Sequence, residues 1–192
     1  MFMINITFPD GNIKQFENGI TPIEIAKSIS QGLARNTIVA KINNEMWDLN
    51  RPIINDAKIS LYSWNEKEGK KCFWHSTAHI MAEALQELYP NIKFGIGPAI
   101  DNGFYYDIDL ENKVLSSDDL PKIEQKMLEI TKTNVTFKRK KISKKDASLY
   151  FEQKKDNYKL ELLEDLKDGD ITFYSQGNFT DLCKGPHLLS TE

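Results

Sequence analysis

Three observations predict an α+β chain in two parts. Two alternating apolar segments around a Pro-Asp-Gly-Asn turn, one capped helix and about three more strand-like segments occupy the first sixty or so residues. A charged, glycine-containing run, Asn65–Lys71, then interrupts the apolar pattern. After it comes a long helical pattern, followed by mixed strands and helices that close on a hairpin signal. The first order of elements fits a small sheet gripping a single helix, a β-grasp arrangement.

In the first part, Ile4, Ile6 and Phe8 share one face of a strand, and Pro9-Asp10-Gly11-Asn12 turns the chain into a second strand from Ile13 to Phe16. Thr21 is placed as an N-cap, with Pro22 at the first helical position and Glu24 closing a capping box. Ile25, Ile29 and Leu33 would form the buried stripe of one helix, with Ala26 beside it. Strands follow at Thr37–Ile42, Glu45–Leu49 and Ile59–Trp64, with a turn at Asn43-Asn44.

With Asn65–Lys71 as linker, the expected domains are residues 1–64 and 65–192. The second opens with a helix from about Cys72 to Tyr89, stopped by Pro90, with Ala78, Met81, Ala82, Leu85 and Leu88 facing its core. Asp101-Asn102-Gly103 is a turn, and Phe104–Leu110 reads as one strand on which Tyr105 and Tyr106 face opposite ways. Ser117 would cap a helix reaching about Thr133, with Pro121 in its first turn. A basic run at Lys138–Lys141, helices at about Lys144–Lys154 and Leu160–Leu166, and a hairpin around Gln176-Gly177-Asn178 complete the chain.

Composition narrows the function classes. An apolar fraction of 40% and a charged fraction of 28% are ordinary for a globular protein, and no apolar run approaches a membrane span. A cytoplasmic protein with no membrane partner is expected. The net charge of −3 argues against a general nucleic-acid binder, although Lys138–Lys141 with Lys144, Lys145, Lys154 and Lys155 is either a solvated face or a track for an RNA backbone. Of the two cysteines, a disulfide is less expected than a thiol serving as ligand or pocket wall.

The chemistry concentrates in Cys72–His79 and Asp181–His187, which hold all three histidines and both cysteines. His75 and His79 lie four apart on the predicted helix and share a face. Cys183 and His187 have the same spacing, but Gly185-Pro186 between them predicts a turn. Two imidazoles, a thiol and a third imidazole suit either a zinc ion or a metal-free hydrolytic pocket. The glutamate of H-E-x-x-H is missing, which argues against a zinc protease. Gly95-Ile96-Gly97-Pro98 matches no phosphate loop; it is either a tight strand end or a backbone wall that lets a ligand approach.

Together, the blocks His75-Ser76-Thr77-Ala78-His79, Gly95-Ile96-Gly97-Pro98, Asp101-Asn102-Gly103-Phe104-Tyr105-Tyr106-Asp107, Tyr158-Lys159 and Asp181-Leu182-Cys183-Lys184-Gly185-Pro186-His187 resemble the amino-terminal part of the bacterial threonyl-tRNA synthetases. The likeness covers the whole chain. Residues 1–64 resemble the TGS domain, a β-grasp module also found in certain GTPases and stringent-response enzymes. Residues 65–192 resemble the editing domain, an α/β two-layer fold shared with alanyl-tRNA synthetases and their free-standing editing relatives.

The resemblance implies hydrolysis of the ester joining serine to the 3′ end of threonine tRNA. Serine lacks one methyl group of threonine, worth only about 1–3 kcal/mol of discrimination, so a synthesis site cannot exclude it and a second, smaller site must. By the same resemblance His75, His79, Lys159, Cys183 and His187 surround the ester, Tyr106 and Asp181 are pocket members, and Gly95, Gly97 and Pro98 form the backbone wall. His75 and Lys159 would position or activate water, and Asp181 would hold the serine ammonium. The alanyl-type relatives bind zinc through the equivalents of His75, His79, Cys183 and His187, whereas the threonyl type, the closer match, implies no cofactor for editing.

The chain stops at Glu192, shortly after the last block, so a fragment is expected. ATP, a separate zinc ion and dimerisation would belong to an aminoacylation region absent from it. Two alternatives accompany this reading: a free-standing alanyl-type zinc deacylase, and a catalytically inert TGS-bearing module that binds tRNA.

Overall fold

The computed structural model describes residues 2–111 and 113–192. Packing divides the chain into two compact units. One holds the chain up to Phe73 together with Gly185–Leu189; the other holds Trp74–Lys184 with Ser190–Glu192.

The first unit is built on a five-stranded mixed sheet. Strands β1 (Met3–Thr7) and β2 (Ile13–Glu17) form the expected hairpin, with Ile4 opposite Phe16. After helices α1 (Pro22–Ile29) and α2 (Gln31–Asn36) come β3 (Val39–Ile42), β4 (Glu45–Trp47) and β5 (Ala57–Tyr62). The strand order is β2-β1-β5-β3-β4, and only the β1–β5 pair is parallel. Ile4, Ile6, Ile42, Ile59 and Ile25 of α1 make the core between sheet and helix, with Phe8 and Phe16 partly buried against it.

Glu24 supports the start of α1 as expected: its carboxylate accepts the Thr21 N–H at 2.9 Å and the Thr21 hydroxyl at 2.6 Å. The single helix expected through Leu33 is a correction. Ser30 adopts an extended backbone, and its hydroxyl accepts the Leu33 N–H at 3.0 Å, capping a separate α2. Ile25 and Ala26 are buried as expected, whereas Ile29, the last residue of α1, is exposed, and Leu33 in α2 is half-buried. Serine competes with helical hydrogen bonds by bonding the backbone itself.

Helix α3 runs from Lys67 to Leu88, so it begins before the expected Cys72 and takes in most of the charged run read as a linker. Gly69 is tolerated inside it for a steric reason. A Cβ there would overlap the Ser63 carbonyl, so any other residue would push that strand end away. Ala78, Ala82 and Leu85 are buried as the stripe predicts, but so are Ser76, His79, Ile80 and Glu83. The helix is therefore enclosed over more than one face from about Ser76 to Leu85, and its polar residues must find partners there.

In the second unit short pairs follow α3: β6 (Lys93–Phe94) with β9 (Ile108–Asp109), and β7 (Ala99–Ile100) with β8 (Gly103–Phe104). The single strand expected over Phe104–Leu110 is thus split. Gly103, at φ 134°, closes a tight β7–β8 turn, and Tyr105 to Asp107 leave the ladder. Tyr105 is exposed while Tyr106 joins the core, so the two do face opposite ways.

Helix α4 spans Leu120–Lys132 and is preceded by Asp119 at the cap position, not Ser117. Asp119 gathers the Ser116 N–H and hydroxyl and the Tyr89 hydroxyl, all within 3.0 Å. The basic run is a strand, β10 (Lys138–Lys141), at the edge of a sheet ordered β10-β11-β12. Helices α5 (Lys144–Gln153) and α6 (Asn157–Glu164) precede β11 (Thr172–Gln176) and β12 (Phe179–Leu182), the predicted final hairpin. Helix α6 begins earlier than the expected Leu160, because Asp156 accepts the Lys159 N–H at 3.2 Å and caps it.

Candidate active site

Within the second unit, α3 and the end of β12 bring three predicted residues together. His75 and His79, one turn apart, place their rings edge to face with centroids 5.2 Å apart. The Cys183 Sγ lies 3.3 Å from His75 Nε2, a hydrogen bond whose direction depends on the imidazole tautomer. The ligand atoms of His75, His79 and Cys183 all fall within 4.8 Å of one another, so this His/Cys group could hold a metal ion. Nitrogen and thiolate donors are those a zinc ion prefers, and three such ligands would leave a position for water.

His79 is almost completely buried. Burial, then the nearby His75 and Lys159 charges, hold its pKa down to about 3, against an opposing pull from Asp181. Its imidazole is therefore neutral at physiological pH and keeps a lone pair that can accept a hydrogen bond or a metal. His75 is only half-buried and so remains within reach of solvent.

A second cluster adjoins the first. Lys159, in the first turn of α6, and Asp181, on β12, form an ion pair at 2.6 Å with both side chains at or below 5% exposure. Lys159 also donates to the Gly95 carbonyl at 2.8 Å, which uses two of its three ammonium donors. Asp181 accepts the Tyr106 hydroxyl in a short hydrogen bond and the Leu182 N–H at 2.7 Å. With Lys159 that makes three donors on a carboxylate that offers about four lone-pair sites, so a substrate ammonium would compete for the last. Burial and then the Asp181 charge raise the Tyr106 pKa well above its usual value, so the phenol keeps its proton and donates. The Tyr106 and His79 ring centroids are 6.5 Å apart, joining the two clusters.

The glycine pair acts on this second cluster. Gly95 supplies the carbonyl that Lys159 meets, and a Cβ at Gly97 would overlap the Tyr106 ring. The close approach foreseen for a ligand is here made by a protein side chain. Gly97→Ala is expected to displace Tyr106 from Asp181 and to cost about 1–3 kcal/mol as overpacking does; urea unfolding checks it, and an unchanged midpoint would refute it. Pro98 is half-buried, and its carbonyl lies 3.5 Å from the Tyr105 amide. Lys159, Asp181, Phe94 and Phe179 line a cavity of about 360 Å³, within the range of small-ligand pockets.

His187 falls in Gly185–Leu189, the segment grouped with the first unit. There it is fully buried, and its N–H donates to Asp48 Oδ1 at 3.0 Å. The backbone before it is irregular rather than helical, with Gly185 at φ 71°. Both cysteines are free; Cys72 is buried, with its Sγ 3.6 Å from the Pro186 carbonyl.

Glu83 and Gln176 were not anticipated from the sequence. Glu83 is one turn beyond His79, and its Oε1 accepts the Asn178 N–H at 3.1 Å. Gln176 donates from Nε2 to the His79 carbonyl at 3.0 Å. The available signal was the continued four-residue spacing of His75, His79 and Glu83.

Among known families, a profile of the TGS domain matches residues 4–63. Among curated proteins, the chain is 58% identical over 189 residues to the threonine–tRNA ligase of Cytophaga hutchinsonii and 53% identical over 189 residues to that of Parabacteroides distasonis. It is 54% identical over 190 residues to the threonine–tRNA ligase of Porphyromonas gingivalis. Each match takes in 98% of this chain and 29% of the relative, so the chain spans less than a third of the relatives' length.

Proposed function

Because this chain carries a TGS domain and is homologous along nearly all its length to the amino-terminal region of the threonine–tRNA ligases, we propose that it is their proofreading part, a hydrolase that removes serine from mischarged threonine tRNA in the cytoplasm. In this reading residues 65–192 form a two-layer editing domain. The observation that carries it is the meeting of His75, His79 and Cys183 beside the buried Lys159–Asp181–Tyr106 network. Joining threonine to tRNA with ATP, the reaction for which the relatives are named, belongs in this reading to the rest of such a protein, as does any dimer contact.

In the proposed reaction water adds to the ester carbonyl carbon and the bond to the ribose 3′ oxygen breaks. The proton lost by water ends on that oxygen. His75, half-buried and held by Cys183, is placed to take and return this proton, and neutral His79 packs against its ring. Lys159 keeps one donor for the developing oxyanion or the attacking water, and its positive charge suits the negative charge that develops. Asp181 and Tyr106 fix Lys159, and Asp181 offers its last lone pair to the serine ammonium. His187, which the resemblance assigns to the same ester, is the proposed fourth member of the histidine–thiol set.

We assign the hydrolysis to these side chains without a cofactor, since Lys159 already supplies a buried positive charge beside the site. The second reading, a zinc-dependent deacylase, is favoured by the donor set itself: His75, His79 and Cys183 would hold the ion, which would supply a polarised water at its open position. Deacylation of seryl- and threonyl-tRNA, with seryl-alanine-tRNA as control and with and without a chelator, separates the readings. Hydrolysis of seryl-threonine-tRNA alone, indifferent to chelator, is expected. Loss of activity with chelator transfers the assignment to the zinc reading, and equal hydrolysis of the seryl and threonyl esters rejects proofreading.

A further inference from the structure

Helix α3 continues its four-residue spacing from His75 and His79 to Glu83, whose side chain lies against the tip of the β11–β12 hairpin. Its Oε1 accepts the Asn178 N–H at 3.1 Å, and the Asn178 carbonyl accepts from Gln86 Nε2 at 3.2 Å. Between Gln176 and Asn178, Gly177 sits at φ 47°, and a Cβ there would overlap Glu83 Oε1. The tip is thus shaped to admit the carboxyl group. Gln176 returns the connection by donating to the His79 carbonyl at 3.0 Å. Strand β12 leaves this tip and carries Asp181 toward Lys159 and Tyr106, with Cys183 just past its end.

Glu83 and Gln176 are at 3% and 1% exposure, and each has one buried oxygen, Oε2 and Oε1, that meets no donor among the described residues. Two neighbouring acceptors without donors are costly in an interior. One proton answers for both, if it sits on one oxygen and points at the other.

We propose that Glu83 is a positioning residue that carries this proton as a neutral carboxylic acid, donates it to Gln176 Oε1, and thereby latches the hairpin bearing Asp181 and Cys183 to the helix bearing His75 and His79. Burial first, and more weakly the Glu87 charge, raise the Glu83 pKa against the opposing Asn178 N–H and the Gln176 side chain. Its effect on hydrolysis rests on the proofreading reading; the latch itself does not.

The test compares Glu83→Gln with Glu83→Ala in the full chain. An amide can donate to Gln176 Oε1 and accept from Asn178, so Glu83→Gln is expected to keep the parental melting temperature and seryl-tRNA deacylation. Glu83→Ala is expected to lower kcat by about ten- to a hundredfold with little change in KM, as loss of a supporting partner does, and to speed exchange of the Asn178 amide. Infrared difference spectra should show a protonated-carboxyl stretch in the parent at neutral pH that Glu83→Gln removes. This band and the amide exchange decide the latch even if the parent deacylates nothing. Absence of the band, a glutamine variant as damaged as the alanine variant, or a folded Glu83→Ala protein with parental kcat and slow Asn178 exchange would each overturn the proposal.

Discussion

Replacing Lys159 with methionine is expected to destabilise the protein by about 3–5 kcal/mol, the usual cost of removing one partner of a buried pair. The magnitude follows from what remains. Asp181 stays at 3% exposure with a carboxylate that has lost its counter-charge at 2.6 Å, and the hydrogen bonds from Tyr106 and the Leu182 amide cannot replace it. The Gly95 carbonyl loses its donor in the same step. Urea unfolding with Lys159→Met, Asp181→Asn and the double variant checks the argument. The double variant should recover much of the loss, because it removes the stranded charge as well. A single-variant loss under about 1 kcal/mol, the range of exposed pairs, would mean that the pair is hydrated in solution.

Replacing His75 with alanine is expected to act in the opposite proportion. The side chain is half-buried and its hydrogen bond is to a thiol, so the melting temperature should move little. If His75 moves the proton during ester hydrolysis, single-turnover deacylation of seryl-tRNA should fall by about 10²–10⁴-fold, the range for a general acid–base group. His79 provides the contrast. It is almost fully buried against Phe179, with ring centroids 5.6 Å apart, so His79→Ala would open a cavity and reduce stability together with rate. A parental rate in His75→Ala would remove that imidazole from the mechanism.

Local chemistry was the part of the fold that could be read from the sequence. Thr21, Pro22 and Glu24 announce the start of α1, Pro9–Asn12 the first hairpin, and Gln176-Gly177-Asn178 the last. Where two local rules competed, the sequence was silent about the winner. Ser30 could continue a helix or cap a new one, and its hydroxyl bond to Leu33 decided for the cap. Phe104–Leu110 has the residues of one strand, yet the strand is interrupted at Tyr105–Asp107, where the Tyr106 ring packs against Gly97.

The candidate site was legible to a similar degree. The spacing of His75 and His79 sufficed to put them on one face, and the block around Cys183 named its partner. On its own Lys159 reads more readily as an ordinary exposed lysine than as a site residue. Its burial depends on Asp156 starting α6 early and on an acid from a distant strand, neither of which periodicity encodes. Glu83 escaped notice because a glutamate on a helix is ordinarily solvated, and only the tertiary structure encloses it.

The cationic strand β10 has a consequence for the protein's behaviour toward its own copies. An outermost strand offers unpaired amide and carbonyl groups that can recruit a neighbouring molecule. Here that border bears Lys138, Arg139, Lys140 and Lys141, three of them exposed. Two such borders approaching each other would crowd ammonium and guanidinium groups together before any backbone bond could form. The repulsion keeps the sheet from growing outward from one molecule to the next.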